Sequence, residues 1–260
     1  MRQDVEEHCR TCFICQTSKP TKREKADMIS IGTGFPSQRL GIDIIDFPKS
    51  RSGFKHALTM IDYFTRYAEV IPIRDTKSAT VAKVIFNEWI SRYGAPHVIH
   101  SDQGSNLDGN KIVIELCALF DIDKTRTTPF RPQCNGATER IHRTLTTMLK
   151  CFLSSKDDWD QLLPGCLLAY RCSINASTKY SPFELLFGRP MTLPIDLLFS
   201  SPNTETLNSP KTYVESLRSQ LDNVFAVAHN NLQTAQSTNR RTYATINKTV
   251  KLNFHRGELV

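Results

Sequence analysis

A short apolar run, His97-Val-Ile-His-Ser101, stops at Asp102 and opens into the polar, glycine-containing stretch Gln-Gly-Ser-Asn106. The pattern is that of a strand ending on a carboxylate. An acid at a strand end, backed by a packed sheet and facing a loop, is well placed to hold a metal. Taken alone, an Asp at such a junction is a turn-former. Two further features argue for more: a second acidic strand upstream, Ile42-Asp43-Ile44, and Glu139 inside a helical pattern downstream.

The elements around these acids follow from periodicity. Leu40, Ile42, Ile44, Ile45 and Phe47 make an apolar strand around Asp43, and Ser50 to Phe54 reads as a turn. His56 to Asp62 and Tyr67 to Ile73 are two more strands, giving an antiparallel meander. A helix then starts with Ser78 as its cap, carries Val81, Val84, Ile85, Trp89 and Ile90 at helical spacing, and stops at Gly94 and Pro96. The strand that follows a helix is expected to run parallel to the first, which brings Asp43 and Asp102 onto adjacent strands. A second helix over about 110–120 and a fifth strand over 122–127 come next. The loop Pro129-Phe-Arg-Pro-Gln-Cys-Asn-Gly136 leads into a long helix ending near Ser154. On that helix Glu139, Arg143, Thr146 and Lys150 form one stripe, and Ile141, Leu145, Met148, Leu149 and Phe152 the buried side. Helical pieces over 160–171 and 182–187 complete the domain. From Tyr213 to about Tyr243 runs a polar helix with a thin apolar stripe: Val214, Leu217, Leu221, Val224 and Val227. This stripe suits docking on the core or pairing with another chain. Arg240, Arg241, Lys248, Lys251 and Arg256 make a basic tail, and Phe254 to Val260 reads as a strand just beginning, as in a fragment.

Composition bounds the function. The 260 residues, 40% hydrophobic, suffice for one medium domain with short appendages. A net charge of +7 and a pI near 9.0 suit a polyanionic partner. No run of about 18 apolar residues exists to span a membrane, and the polar first residues cannot serve as a secretory signal. The eight Cys are therefore expected to be reduced inside a cell. Among them Cys9, Cys12 and Cys15 are spaced as Cys-x-x-Cys pairs, either half of a tetrahedral zinc site or a redox or structural pair. Residues 19–25 form a basic, Pro-containing linker.

Two strand-borne Asp and one helix-borne Glu can hold a pair of divalent metals about 4 Å apart, and hard oxygen ligands suit Mg²⁺. Arg143 and Lys150 extend along the same helix face toward a phosphate backbone. Other acids fit less well. Asp46 falls on the opposite strand face from Asp43, Asp62 ends the second strand among turn-like neighbours, and Asp108, Asp121 and Asp123 lie in loops or at helix ends.

At this point the residues carry a family resemblance. The motifs are His100-Ser-Asp-Gln-Gly, Lys124-Thr-Arg-Thr-Thr-Pro129, Pro132-Gln-Cys-Asn-Gly136, Glu139-Arg-Ile-His-Arg-Thr-Leu145, Leu168-Ala-Tyr-Arg171 and Tyr180-Ser-Pro-Phe-Glu-Leu-Leu-Phe-Gly188. With this joint spacing, about residues 1–200 resemble the integrases of Ty3/Gypsy-type retrotransposons and, more broadly, of retroviruses. The resemblance implies an α/β, ribonuclease H-like core: a mixed five-stranded sheet flanked by helices, with a C-terminal helical extension. It implies that Asp43, Asp102 and Glu139 bind two Mg²⁺ or Mn²⁺ ions for 3′-end processing and strand transfer of element DNA. It puts Asn135 and Gly136 in an active-site loop that meets nucleic acid, with Arg143 and Lys150 alongside. Action in the nucleus, on chromosomal DNA and as a homo-oligomer, is implied too.

The implied division is 1–20 as the remnant of a zinc-binding domain, 28–200 as the catalytic core, and 207–260 as a helical extension running into a truncated DNA-binding barrel. Cys12 and Cys15 match the family's Cys ligands, but the His pair that completes its Zn²⁺ site is missing. One more residue separates Asp102 from Glu139 than the family usually has, expected near Asn110. His142 stands where Asn is common, a change expected to weaken a local hydrogen bond without touching the metals. A degenerate or host-adopted integrase that binds nucleic acid without catalysis is the alternative.

Overall fold

The computed structural model describes residues 2–13, 32–101, 111–126, 136–152, 159–199 and 210–247. The chain divides into two units, Ser30–Ser237 and a smaller one combining Met1–Ile29 with Thr238–Val260. In the smaller unit α1 covers Arg2–Thr11, an exposed helix. The larger unit is built on five strands: β1 (Arg39–Asp46), β2 (His56–Asp62), β3 (Ala68–Ile73), β4 (Val98–Ser101) and β5 (Asp123–Arg126). They lie in the order β3-β2-β1-β4-β5. The first three pair antiparallel, as hairpin-linked strands must, while β4 runs parallel to both β1 and β5. This is the mixed five-stranded sheet expected from the sequence.

Strand alternation gives the sheet two apolar faces. Leu40, Ile42, Leu58, Met60, Ile73 and Ile99 point to one, which is covered by α2 (Ser78–Ile85) and α3 (Lys111–Leu119). Between α2 and Gly94 the chain passes through one wide π turn, Phe86–Ile90, and a helical turn, Ser91–Tyr93, which seats Trp89 in the core. Gly94, at φ 88°, ends the helix as expected. Ser78 does not cap its start. The N-cap position is Lys77, which makes no side-chain cap bond, and Asp75 Oδ1 accepts from the Lys77 N–H at 3.0 Å and the Thr80 hydroxyl at 2.7 Å.

The opposite face, with Ala57, Ile61, Tyr63, Ala68 and Val70, is covered by α4 (Gly136–Phe152) and α5 (Trp159–Cys172). On α4 the residues Ile141, Leu145 and Leu149 are buried, whereas Phe152 is 66% exposed and leaves the predicted stripe. Arg171 ties α5 to the sheet. Its guanidinium donates to the Ala68 carbonyl and pairs with Glu69 Oε2 at 2.6 Å, and it lies 4.8 Å over the Tyr67 ring. Tyr93 donates to the other Glu69 oxygen at 2.6 Å, so a buried carboxylate is satisfied from both sides.

Two short helices follow, α6 (Pro182–Phe187) and α7 (Pro194–Phe199). Ser181 caps α6 by accepting from the Glu184 N–H at 3.1 Å, Pro182 occupies its first turn, and Gly188 ends it left-handed. A Cβ on Gly188 would stand 2.8 Å from Leu221 of α8 (Pro210–Asn247), so the glycine also admits that helix. The α8 stripe docks on the core, one of the two roles expected for it. It runs through Leu217, Leu221 and Val224 but continues by Ala228 and Leu232 rather than Val227, which is 47% exposed. Donation from His229 Nδ1 to the Thr33 carbonyl and from Asn231 to the Thr178 carbonyl fixes its register.

Candidate active site

The polar residues of the α4 face gather at one stretch of β1. Gly41 comes first. A Cβ there would lie 2.4 Å from the Tyr63 ring and 3.2 Å from the Thr138 hydroxyl of α4, so only glycine lets the first turn of that helix approach the strand. Asp43 lies two residues on, projecting from the same face, and Glu139 is next to Thr138 in that first turn.

His142, one turn beyond Glu139, makes the second link. Its Nε2 is 2.9 Å from the hydroxyl of buried Thr59, and its Nδ1 is 3.8 Å from Asp43 Oδ2. Thr59 is the direct cross-strand partner of Asp43 in the β1–β2 pair, so the imidazole spans both strands. The Asp43 and His142 side chains are only 18% and 16% exposed. Burial pushes the His142 ring down to about 4, and a carboxylate at 3.8 Å does not offset that loss of solvation, so the ring is neutral at pH 7. The other Asp43 oxygen accepts from the Ile44 N–H at 2.8 Å. Residues three apart share a helix face, and this face turns inward so that His142 lies against Asp43.

From the other side comes β4. Ser101, its last residue, pairs with Ile42, and His100 pairs with Gly41. Asp102 is the next residue along and lies outside the described residues. His100 is buried, with Nδ1 3.0 Å from the Thr125 hydroxyl. Burial lowers its ring to about 4, with a smaller contribution from Arg39. Among the described residues its Nε2 and the Ser101 hydroxyl oxygen find no hydrogen-bond partner.

The remaining predicted residues divide as follows. Gly136 begins α4, and Arg143 and Lys150 are exposed along it with Glu139, while Thr146 is half-buried. Asn135 and Cys15 lie outside the described residues. Cys12 is half-buried after α1, its N–H donating to the His8 carbonyl at 2.9 Å. Asp62, the last residue of β2, is buried where the turn to β3 begins, and accepts from the Ser37 N–H, the Thr65 N–H and the Thr65 hydroxyl. Burial raises its carboxyl. Among the described residues no three His, Cys, Asp or Glu converge, and no helix is long and apolar enough to cross a membrane. The sequence reading missed Thr59 and Gly41. An isolated glycine inside an apolar strand was the available signal for close approach; Thr59 gave none.

Comparison with known proteins bears on the fold and the family. Residues 35–132 match the integrase core domain family. Over 82% of its length the chain is 31% identical to the retrovirus-related Pol polyprotein from transposon 412 of Drosophila melanogaster. Over 76% it is 31% identical to the Gag-Pol polyprotein of avian reticuloendotheliosis virus. The chain covers 17% and 18% of these two polyproteins. In fold it is similar to a chain of the simian T-cell lymphotropic virus intasome solved with PP2A regulatory subunit B56 gamma. That match has a TM-score of 0.55 and 18% identity, covering 75% of this chain and 69% of the other. The chain carries an integrase core domain of the retroviral and retrotransposon Pol type, with a ribonuclease H-like fold.

Proposed function

We propose that this chain is the catalytic part of a retroelement integrase, of the Ty3/Gypsy type. In this reading it processes the 3′ ends of element DNA and joins them to target DNA in the nucleus. One observation carries the reading: α4 enters over Gly41, so that His142 comes down beside Asp43 with Glu139 one turn earlier on the same helix, while β4 ends one residue before Asp102. The donor set is carboxylate oxygen, which fits Mg²⁺ or Mn²⁺. Asp43, Asp102 and Glu139 would hold the ions, and a divalent pair supplies an activated hydroxyl and a stabilised leaving oxygen. The chain itself does the rest. The sheet fixes the Asp43 backbone, Asn135 and Gly136 border the DNA, and Arg143 and Lys150 neutralise phosphates along α4. A homo-oligomer acting on two DNA ends belongs to the same reading, as do the zinc-domain remnant at Cys12 and Cys15, the core over 28–200 and the extension over 207–260.

The test is a disintegration assay on branched DNA with Mg²⁺ or Mn²⁺, comparing the chain with Glu139→Gln. Metal-dependent joining that disappears in the variant supports catalysis. Absence of joining by folded, DNA-binding protein favours the alternative, an integrase-derived nucleic-acid-binding protein.

A further inference from the structure

We propose that His142 is a positioning residue for Asp43, held in place by Thr59, and that this three-residue line sets how tightly the site takes a divalent cation. The inference rests on the reading of Asp43 as a metal ligand.

The tautomer follows from what surrounds the ring. The buried Thr59 hydroxyl lies 2.9 Å from His142 Nε2, and this nitrogen serves as the acceptor of the hydroxyl proton. A neutral imidazole that accepts at Nε2 carries its proton on Nδ1. Nδ1 is the atom that faces Asp43 Oδ2. The N–H dipole therefore points at the carboxylate, and at 3.8 Å it biases where Oδ2 sits without being a hydrogen bond. The other carboxylate oxygen is already engaged by the Ile44 N–H, so the Asp43 group is steered from two directions. Thr59 can do this because it lies opposite Asp43 across the β1–β2 ladder. Such outer contacts orient a metal-binding carboxylate before the ion arrives, and losing them typically weakens metal binding 10–100-fold.

The test uses the full 260-residue chain and Mn²⁺ alone, with free ion counted by electron paramagnetic resonance. Thr59→Val and His142→Phe are each expected to weaken Mn²⁺ binding roughly tenfold, and Thr59→Ser, which keeps the hydroxyl, to restore it. Nitrogen NMR of histidine-labelled, metal-free protein should find His142 protonated on Nδ1. That measurement needs no variant to fold. Protonation on Nε2 would overturn the proposal. So would unchanged Mn²⁺ affinity in both variants, or nitrogen couplings in the Mn²⁺ spectrum showing the imidazole bound to the ion directly. Asp43→Asn separates the two levels. If it loses Mn²⁺ while the other variants bind normally, only the positioning role fails. If it too binds normally, the assignment of Asp43 as a ligand fails with it.

Discussion

The two faces of the sheet are covered by helices in the same way, yet they do different things. Under α2 and α3 the contact is mostly apolar, from Leu40 and Ile42 to Trp89 and Ile99, with the Glu69 carboxylate met by Tyr93 at its edge. Under α4 and α5 the apolar packing of Ile61, Val70, Ile141 and Leu163 gives way, beside the first turns of α4, to Gly41, Asp43, Thr59 and His142. The first face can be explained by area removed from water. The second gives up part of that burial to keep polar groups close, which costs stability unless each is paired. The difference teaches that the chemistry is set by which face a helix N-terminus approaches, because both faces share the same strands.

That contrast can be broken, the largest effect first. Trp89→Ala on the apolar face should cost about 4 kcal/mol in urea unfolding, while the DNA joining of whatever remains folded keeps its metal dependence. Arg171→Met strands the buried Glu69 carboxylate and should cost about 3 kcal/mol in the same titration. A metal requirement altered by either variant would mean that the faces are not separable. Gly41→Ala, on the polar face, forces Tyr63 and Thr138 apart. It should cost about 2 kcal/mol and, unlike the other two, lower Mn²⁺ affinity in proportion to the displacement of α4. Unchanged affinity would show that the approach of α4 does not matter to the site.

A separate effect is a slope with pH. His100 is buried and neutral, with its ring lowered to about 4 from an ordinary 6.5. The unfolded chain takes up that proton first as pH falls. The stability this ring contributes is complete above about 6.5, is lost between about 6.5 and 4, and does not change further below 4. Thermal unfolding in metal-free buffer across that range measures it. His100→Phe, which fills the space without a titrating nitrogen, should flatten the His100 part of the curve.

The same contrast explains what could be read in the sequence. Strands with apolar alternation and helices with a 3.6-residue stripe carry their burial in their pattern, so β1 to β5, α4 and α6 were all legible. The Ser181 cap and the Gly188 stop were written in the local sequence as well. Elsewhere competing residues decided the outcome. The helix starts at Ser78 with Lys77 in the N-cap position and no side-chain cap bond, while Asp75 ties Lys77 and Thr80 together just before it. Ala228 replaced Val227 in the α8 stripe because a small residue fits where the helix meets Phe64. For the site, three carboxylates stood out by type and spacing, but the Thr59–His142–Asp43 line did not. It exists only because a strand register and a helix face meet, and neither is visible one residue at a time.

The most direct measurement of the central claim is single-turnover joining of branched DNA in Mn²⁺ by the chain and by Asp43→Asn, Asp102→Asn and Glu139→Gln. DNA binding is followed in parallel. The account predicts joining by the unaltered chain, none by any of the three variants, and DNA affinity within a few-fold throughout. A variant that still joins at the parent rate would contradict it, because its carboxylate could then not belong to the site.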